Sequence, residues 1–219
     1  ASSFVYFSAK EKYEKGMIDM KYIKWKTLII TSIVCLLPIF LGLALWDKLP
    51  EMVAVHFDIN NNPDNFAPKW FAVFGLPVTM TLLQIFCCFT NDIKANKYGE
   101  NKKFEIATKW IIPVISVVLY TVTMFYALGR NIDIRRVAML LISVIFIVLG
   151  CCMTKLNYVK NYDISPEKAR KINRVIGIMM VIMGILGFLT LFLTPVFSII
   201  WLLLLVLVSI IGIIYGIVV

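Results

Sequence analysis

Residues 175–219 read VIGIMMVIMGILGFLTLFLTPVFSIIWLLLLVLVSIIGIIYGIVV, 45 positions without one Asp, Glu, Lys, Arg or His. A hydrocarbon core of about 30 Å is crossed by about 20 helical residues, so this stretch holds two crossings. Pro195, in LTPVFS, marks the turn between them. Working towards the N-terminus, further apolar runs of spanning length predict helices over 137–154, 108–128, 70–90 and 27–46, in addition to 175–194 and 197–218. Hydrophobic residues make up 60% of the chain and charged residues 16%, against the roughly 45–50% apolar content usual for soluble domains. The expected fold class is an all-α integral membrane protein of about six spans.

The formal charge of +9 does not point to nucleic acid, because the Lys and Arg residues lie in short segments flanking the apolar runs. Taken on alternate sides, 17 of them fall in the N-terminal tail, 91–109 and 155–174, and 5 fall at Lys48, Lys69, Arg130, Arg135 and Arg136. Cationic residues concentrate in cytoplasmic loops, so both termini are expected in the cytoplasm and the protein in the cell membrane. Residues 1–16 read as a tag or leader remnant. The rest divides into an N-terminal membrane module, 17–154, with an outer loop at 47–69, and a C-terminal module, 155–219, with a basic inner loop and two spans.

On these boundaries every Asp and Glu, and the single histidine His56, falls in the tail or the loops. Pumps, ion-coupled transporters and intramembrane hydrolases keep ionisable groups within their spans. The expectation is therefore a protein that is not an enzyme, with no metal or cofactor. Cys35, Cys87, Cys88, Cys151 and Cys152 sit in or beside apolar runs without C-x-x-C spacing and read as small packing residues. Pro38, Pro77 and Pro113 should each free a carbonyl and kink a span unless neighbours compensate. Gly177, Gly184 and Gly187, and the pair Gly212 and Gly216, offer small surfaces for close helix approach. Before the fifth span, Ser165, Pro166 and Glu167 read as N-cap, first helical residue and dipole partner. The cations that follow, Lys168, Arg170, Lys171 and Arg174, are placed to meet anionic headgroups or an acidic partner.

Residues 49–69, LPEMVAVHFDINNNPDNFAPK, are unlike a linker. Val53, Val55 and Phe57 alternate with Ala54, His56 and Asp58, a strand period, and NNNPDN supplies turn chemistry. A small extracytoplasmic hairpin is expected, with an apolar face towards the spans and His56 and Asp58 on the other. Asp58, Asn60, Asn62 and Asp64 are spaced like calcium-loop ligands, but Pro63 stands where such a loop needs glycine and Lys69 where it needs glutamate. His56 is better read as a hydrogen-bonding residue of the hairpin than as a metal ligand, a pH-sensitive ligand contact being the sharper alternative.

The run LP-x-x-V-x-V-H-F-D, the Asn-rich turn with Asn61 or Asn62 in place of a glycine, PD-x-F and a Pro-Lys pair resemble the N-terminal module of the SdpI family. These are bacterial multi-pass membrane proteins that confer immunity to a secreted peptide toxin. The order of Gly150, Lys155, Asn157, Ser165, Lys171, Arg174 and Gly177 is similar to that family's C-terminal half, whereas its Gly-Ile-Arg-Thr-Pro-Trp-type motif is replaced by YVKNYDISP. The resemblance implies an extracellular peptide toxin as ligand, bound at an outer hairpin comprising His56, Phe57, Asp58, Asn62 and Asp64. It also implies a cytoplasmic repressor as second partner, met by Lys168, Arg170, Lys171 and Arg174, with membrane lipid around the spans and no direct contact with nucleic acid. A small-solute transporter or channel-like component is the alternative, its path built from Gln84, Ser116, Thr121 and Thr123.

Overall fold

In a computed structural model, residues 20–99, 101–156 and 165–218 are described. The tag or leader expected at 1–16 lies outside them, as does Asn157. The first apolar run forms α1 (Trp25–Leu36) and α2 (Pro38–Ala44), one crossing of 20 residues divided at Pro38, which has no N–H to continue the ladder. A hairpin follows, β1 (Met52–Phe57) and β2 (Pro63–Pro68), and then α3 (Leu76–Tyr98), α4 (Lys102–Ala127), α5 (Ile134–Met153), α6 (Pro166–Thr190) and α7 (Pro195–Val218). Among the described residues, 6 helical segments are long and apolar enough to cross a membrane. The protein is an all-α multi-pass membrane protein with one small antiparallel sheet. Successive crossings reverse direction, so residues 45–70, 128–133 and 191–194 gather at one end of the bundle, here the hairpin end.

Two prolines explain two buried polar side chains. Pro113 lies inside α4 and has no N–H for the carbonyl one turn earlier, that of Lys109. Gln84 Nε2 donates to this carbonyl at 2.9 Å, and to Thr31 Oγ1 at 2.8 Å. Pro77 likewise leaves the carbonyl of Val73 without its helical donor, and the Tyr120 hydroxyl reaches it at 3.3 Å. In hydrocarbon an unmet carbonyl is costly, so these contacts let α3 and α4 keep their prolines. A π-helical turn, Phe71–Gly75, precedes Pro77.

The closest helix pair is α5 with α6, joined across residues 154–165. A Cβ on Gly150 would lie 2.6 Å from the Gly177 carbonyl oxygen, and one on Gly177 would lie 2.7 Å from the Thr154 nitrogen. Gly184 meets the Ser143 carbonyl and Gly187 meets Trp201 in the same way. The expected small surface on the fifth span is therefore used within the chain. Among the described residues, Gly212 has only Ile176 near it, at 3.9 Å. The α6 start follows the expected pattern, with Ser165 Oγ accepting from the Lys168 N–H at 3.3 Å.

One expectation fails. The spans contain ionisable groups, because α3 runs past the end of its apolar run and α4 begins at Lys102, six residues before the expected start. Asp92, Glu105 and Lys109 are buried between α1, α3 and α4. Lys109 Nζ donates to Asp92 Oδ1 at 2.5 Å and to Glu105 Oε1 at 2.8 Å. Lys24 adds a second cation, its Nζ 2.7 Å from Glu105 Oε2 and its backbone N–H 3.1 Å from Asp92 Oδ2. Hydropathy places a helix boundary where charge begins. It is blind to two acids and two bases that neutralise one another at the end of the bundle opposite the hairpin.

Candidate functional site: a cleft beside the hairpin

β1 and β2 pair in the register Val53 with Ala67, Ala54 with Phe66 and His56 with Asn65, with irregularities on either side of His56. Val53 is fully buried against Leu49, Val73, Tyr120 and Met124. Phe57 sits edge-on to Tyr126, with ring centroids 4.8 Å apart. Val53, Val55 and Phe57 thus turn to the bundle as the alternation predicts, and His56 is exposed with its Nδ1 2.5 Å from Asp64 Oδ1. Ala54 is buried too.

Asp58 organises the turn rather than the strand face. Its Oδ1 accepts the Asn60 and Asn62 backbone amides at 2.8 and 2.7 Å, and its Oδ2 accepts Asn62 Nδ2 at 3.0 Å. The Asn62 amide, then its side chain, hold the Asp58 carboxyl below its ordinary range. This stabilisation of the turn is present above the ordinary carboxylate pKa and is lost as pH falls through the lowered one.

Asn61 takes a left-handed backbone in the turn, with φ of 67°. Asparagine tolerates this left-handed conformation better than most residues. Its side chain also docks the turn onto the start of α5, with Nδ2 donating to the Ile132 carbonyl at 3.0 Å and Oδ1 accepting the Ile134 N–H at 2.8 Å. Asn61→Gly should keep the backbone and lose the two bonds, at about 0.5–1.5 kcal/mol each. Asn61→Ala should cost about 1–2 kcal/mol more for the left-handed backbone. Hydrogen exchange across residues 52–68 reads both changes. Equal protection in the two variants would show that the conformation of residue 61 does not matter.

Two neighbouring cavities lie beside the hairpin. One, of about 210 Å³, lies under β1 between α3, α4 and α5 and includes Phe57, Pro77, Ser116, Tyr120 and Thr123 in its lining. The other is an open cleft of about 470 Å³, with residues 55–59 on one side and α5 and α7 on the other. Its α5 wall carries Ile134, Arg135, Ala138, Met139 and Ile142, and its α7 wall Ser198, Ile199 and Leu202. Arg135 Nη1 donates to Ser198 Oγ at 2.9 Å.

Of the site residues expected at the hairpin, His56, Phe57 and Asp58 line this cleft. Asp64 is engaged with His56, and Asn62 belongs to the turn. Lys168, Arg170, Lys171 and Arg174 are exposed on the first turns of α6, at the opposite end. A basic cavity at that end, about 410 Å³, is lined by Asn101, Lys102, Lys103, Cys151, Cys152 and Lys155. Arg135 and Ser198 are not singled out by sequence reading. The available signal is a paired Arg135-Arg136 behind an Asp133 N-cap, whose carboxylate accepts the Arg136 N–H at 2.9 Å.

Residues 33–81, from within α1 through the hairpin into α3, match the family described as Domain of unknown function (DUF1648). The match covers the hairpin and less than a quarter of the 219 residues. No curated protein and no solved structure matches the chain.

Proposed function

We propose that this protein is a membrane sensor that binds a secreted peptide toxin in the cleft beside its hairpin and so confers immunity, in the manner of the SdpI family. The observation that carries the reading is the cleft of about 470 Å³, its apolar walls supplied by α5 and α7 and its rim by His56 and Asp58. Its size lies within the roughly 300–1,000 Å³ of ligand sites. The hairpin faces outward and both termini are cytoplasmic, on the charge asymmetry of 17 cations against 5. The exposed cations at the start of α6 then face the cytoplasm, where they suit an acidic regulator or anionic lipid.

Small-solute transport is supported by one feature, the buried Asp92, Glu105 and Lys109. Against it, three of the four groups expected to build the path, Gln84, Ser116 and Thr121, each donate to a backbone carbonyl, those of Lys109, Cys35 and Val117.

The test is expression in a toxin-sensitive cell challenged with a panel of secreted peptide toxins. In a cysteine-free background, Asn62→Cys should react with an impermeant thiol reagent in intact cells and Asn101→Cys only after lysis. Tolerance to one toxin should rise, and should fall at equal abundance when Ala138→Trp fills the cleft. Replacing Lys168, Arg170 and Lys171 should leave tolerance and abolish recruitment of a cytoplasmic regulator. Selective flux of a solute into liposomes, with no toxin resisted, would replace immunity by transport.

A further inference from the structure

We propose that the unpaired edge of β1 and the guanidinium of Arg135 together form a seat for the C-terminal carboxylate of an extended apolar peptide. This deepens the peptide-sensing reading above and rests on it.

The sheet has two strands, so β1 pairs with β2 on one side only. Alternate side chains of a strand point to opposite faces. Val55, His56 and Phe57 are consecutive, yet all three line the same cleft. The register irregularities flanking His56 break that alternation, and the cleft, lined by residues 55–59 and by no residue of β2, lies along the edge of β1 that β2 does not pair. Such an edge offers N–H and C=O groups that an added peptide strand can pair with. An acyl chain could not pair with them, which favours a peptide over a fatty acid.

Arg135 supplies the charge. Its side chain is 11% exposed, and a buried guanidinium is costly without an anion. Its acid partner is poor: Nη2 lies 3.5 Å from Asp133 Oδ2, and the same oxygen is closer to Arg136 Nε, at 3.1 Å. The other contact is the Ser198 hydroxyl. Of the five N–H donors of a guanidinium, several are left for a carboxylate, which a planar fork can grip with two parallel bonds. The nearby acids are engaged, Asp58 with Asn60 and Asn62 and Asp64 with His56. The remaining α5 and α7 wall, from Ile134 to Leu202, is apolar.

The experiment uses the full chain in lipid nanodiscs and two N-acetylated random pentapeptide libraries, one of free acids and one of C-terminal amides. Retained peptides are quantified by mass spectrometry, with oleate as a separate probe. Acids should be retained about tenfold or more over amides, the scale of one charge-assisted pair, with apolar residues at the last position. Arg135→Gln should bring the ratio close to one, and Arg135→Lys should keep part of it. Should the Gln variant fail to fold, the contrast of acid with amide on the unaltered protein decides alone. Equal retention of both libraries overturns the carboxylate seat and leaves peptide sensing intact. Retention of neither library overturns both readings, and oleate binding without peptide binding makes this a lipid site instead.

Discussion

Lys109→Met is expected to lower stability by about 3–5 kcal/mol, the cost of breaking a buried ion pair by removing one partner. For a chain of this size that corresponds to a fall in melting temperature on the order of 10 °C. Lys109 is 1% exposed, and so is Asp92. Without the ammonium, Asp92 keeps the Lys24 backbone amide at 3.1 Å but, among the described residues, no side-chain cation at hydrogen-bond distance. Lys24 still neutralises Glu105, so the Asp92 carboxylate carries most of the loss. The check is thermal unfolding in detergent followed by tryptophan fluorescence. A double variant, Lys109→Met with Asp92→Asn, should regain much of the lost stability, because it removes the buried carboxylate that lost its cation and keeps the Lys24–Glu105 pair. A loss below about 1 kcal/mol in the single variant would mean that water reaches the cluster, as for an exposed pair. The folded double variant also separates the two functional readings: immunity should survive it, whereas a transport path through these groups should not.

The second large effect is expected at the α5–α6 contact. Gly177→Ala places a methyl group 2.7 Å from the Thr154 nitrogen and 2.8 Å from the Gly150 carbonyl oxygen. These are backbone atoms, so the two helices themselves must move apart, at about 1–3 kcal/mol for overpacking. Gly177→Leu should go further and detach α6 from α5, seen as rapid proteolysis of the loop between them and loss of a single species on size exclusion. Gly212→Ala is the control, with only Ile176 in reach among the described residues, at 3.9 Å, and should change stability little. If Gly177→Leu were as stable as the unaltered protein, α5 and α6 would not approach as closely as their facing glycines indicate.

The spans and the hairpin were legible for reasons that act locally. A run of 45 residues without Asp, Glu, Lys, Arg or His leaves lipid as the environment in which it can be buried. Alternation through Val53, Val55 and Phe57 sends one strand face inward, and Ser165 followed by Pro166 starts α6 because capping needs only neighbouring residues. The ends of α3 and α4 were less legible, since hydropathy treats each charge alone and Asp92, Glu105 and Lys109 are stable only as a group. The site is divided in the same way. His56, Phe57 and Asp58 could be found from the hairpin pattern, but the cleft needs α5 and α7 as well. Arg135 reads in sequence as one more loop cation. It becomes a wall of the cleft only because Asn61, 74 positions before it, ties the turn to Ile132 and Ile134. Burial and periodicity are properties of a segment, and the sequence determines them unaided. Which buried charge meets which, and which carbonyl freed by a proline meets Gln84 or Tyr120, are properties of helix pairs, so only the tertiary structure decides them.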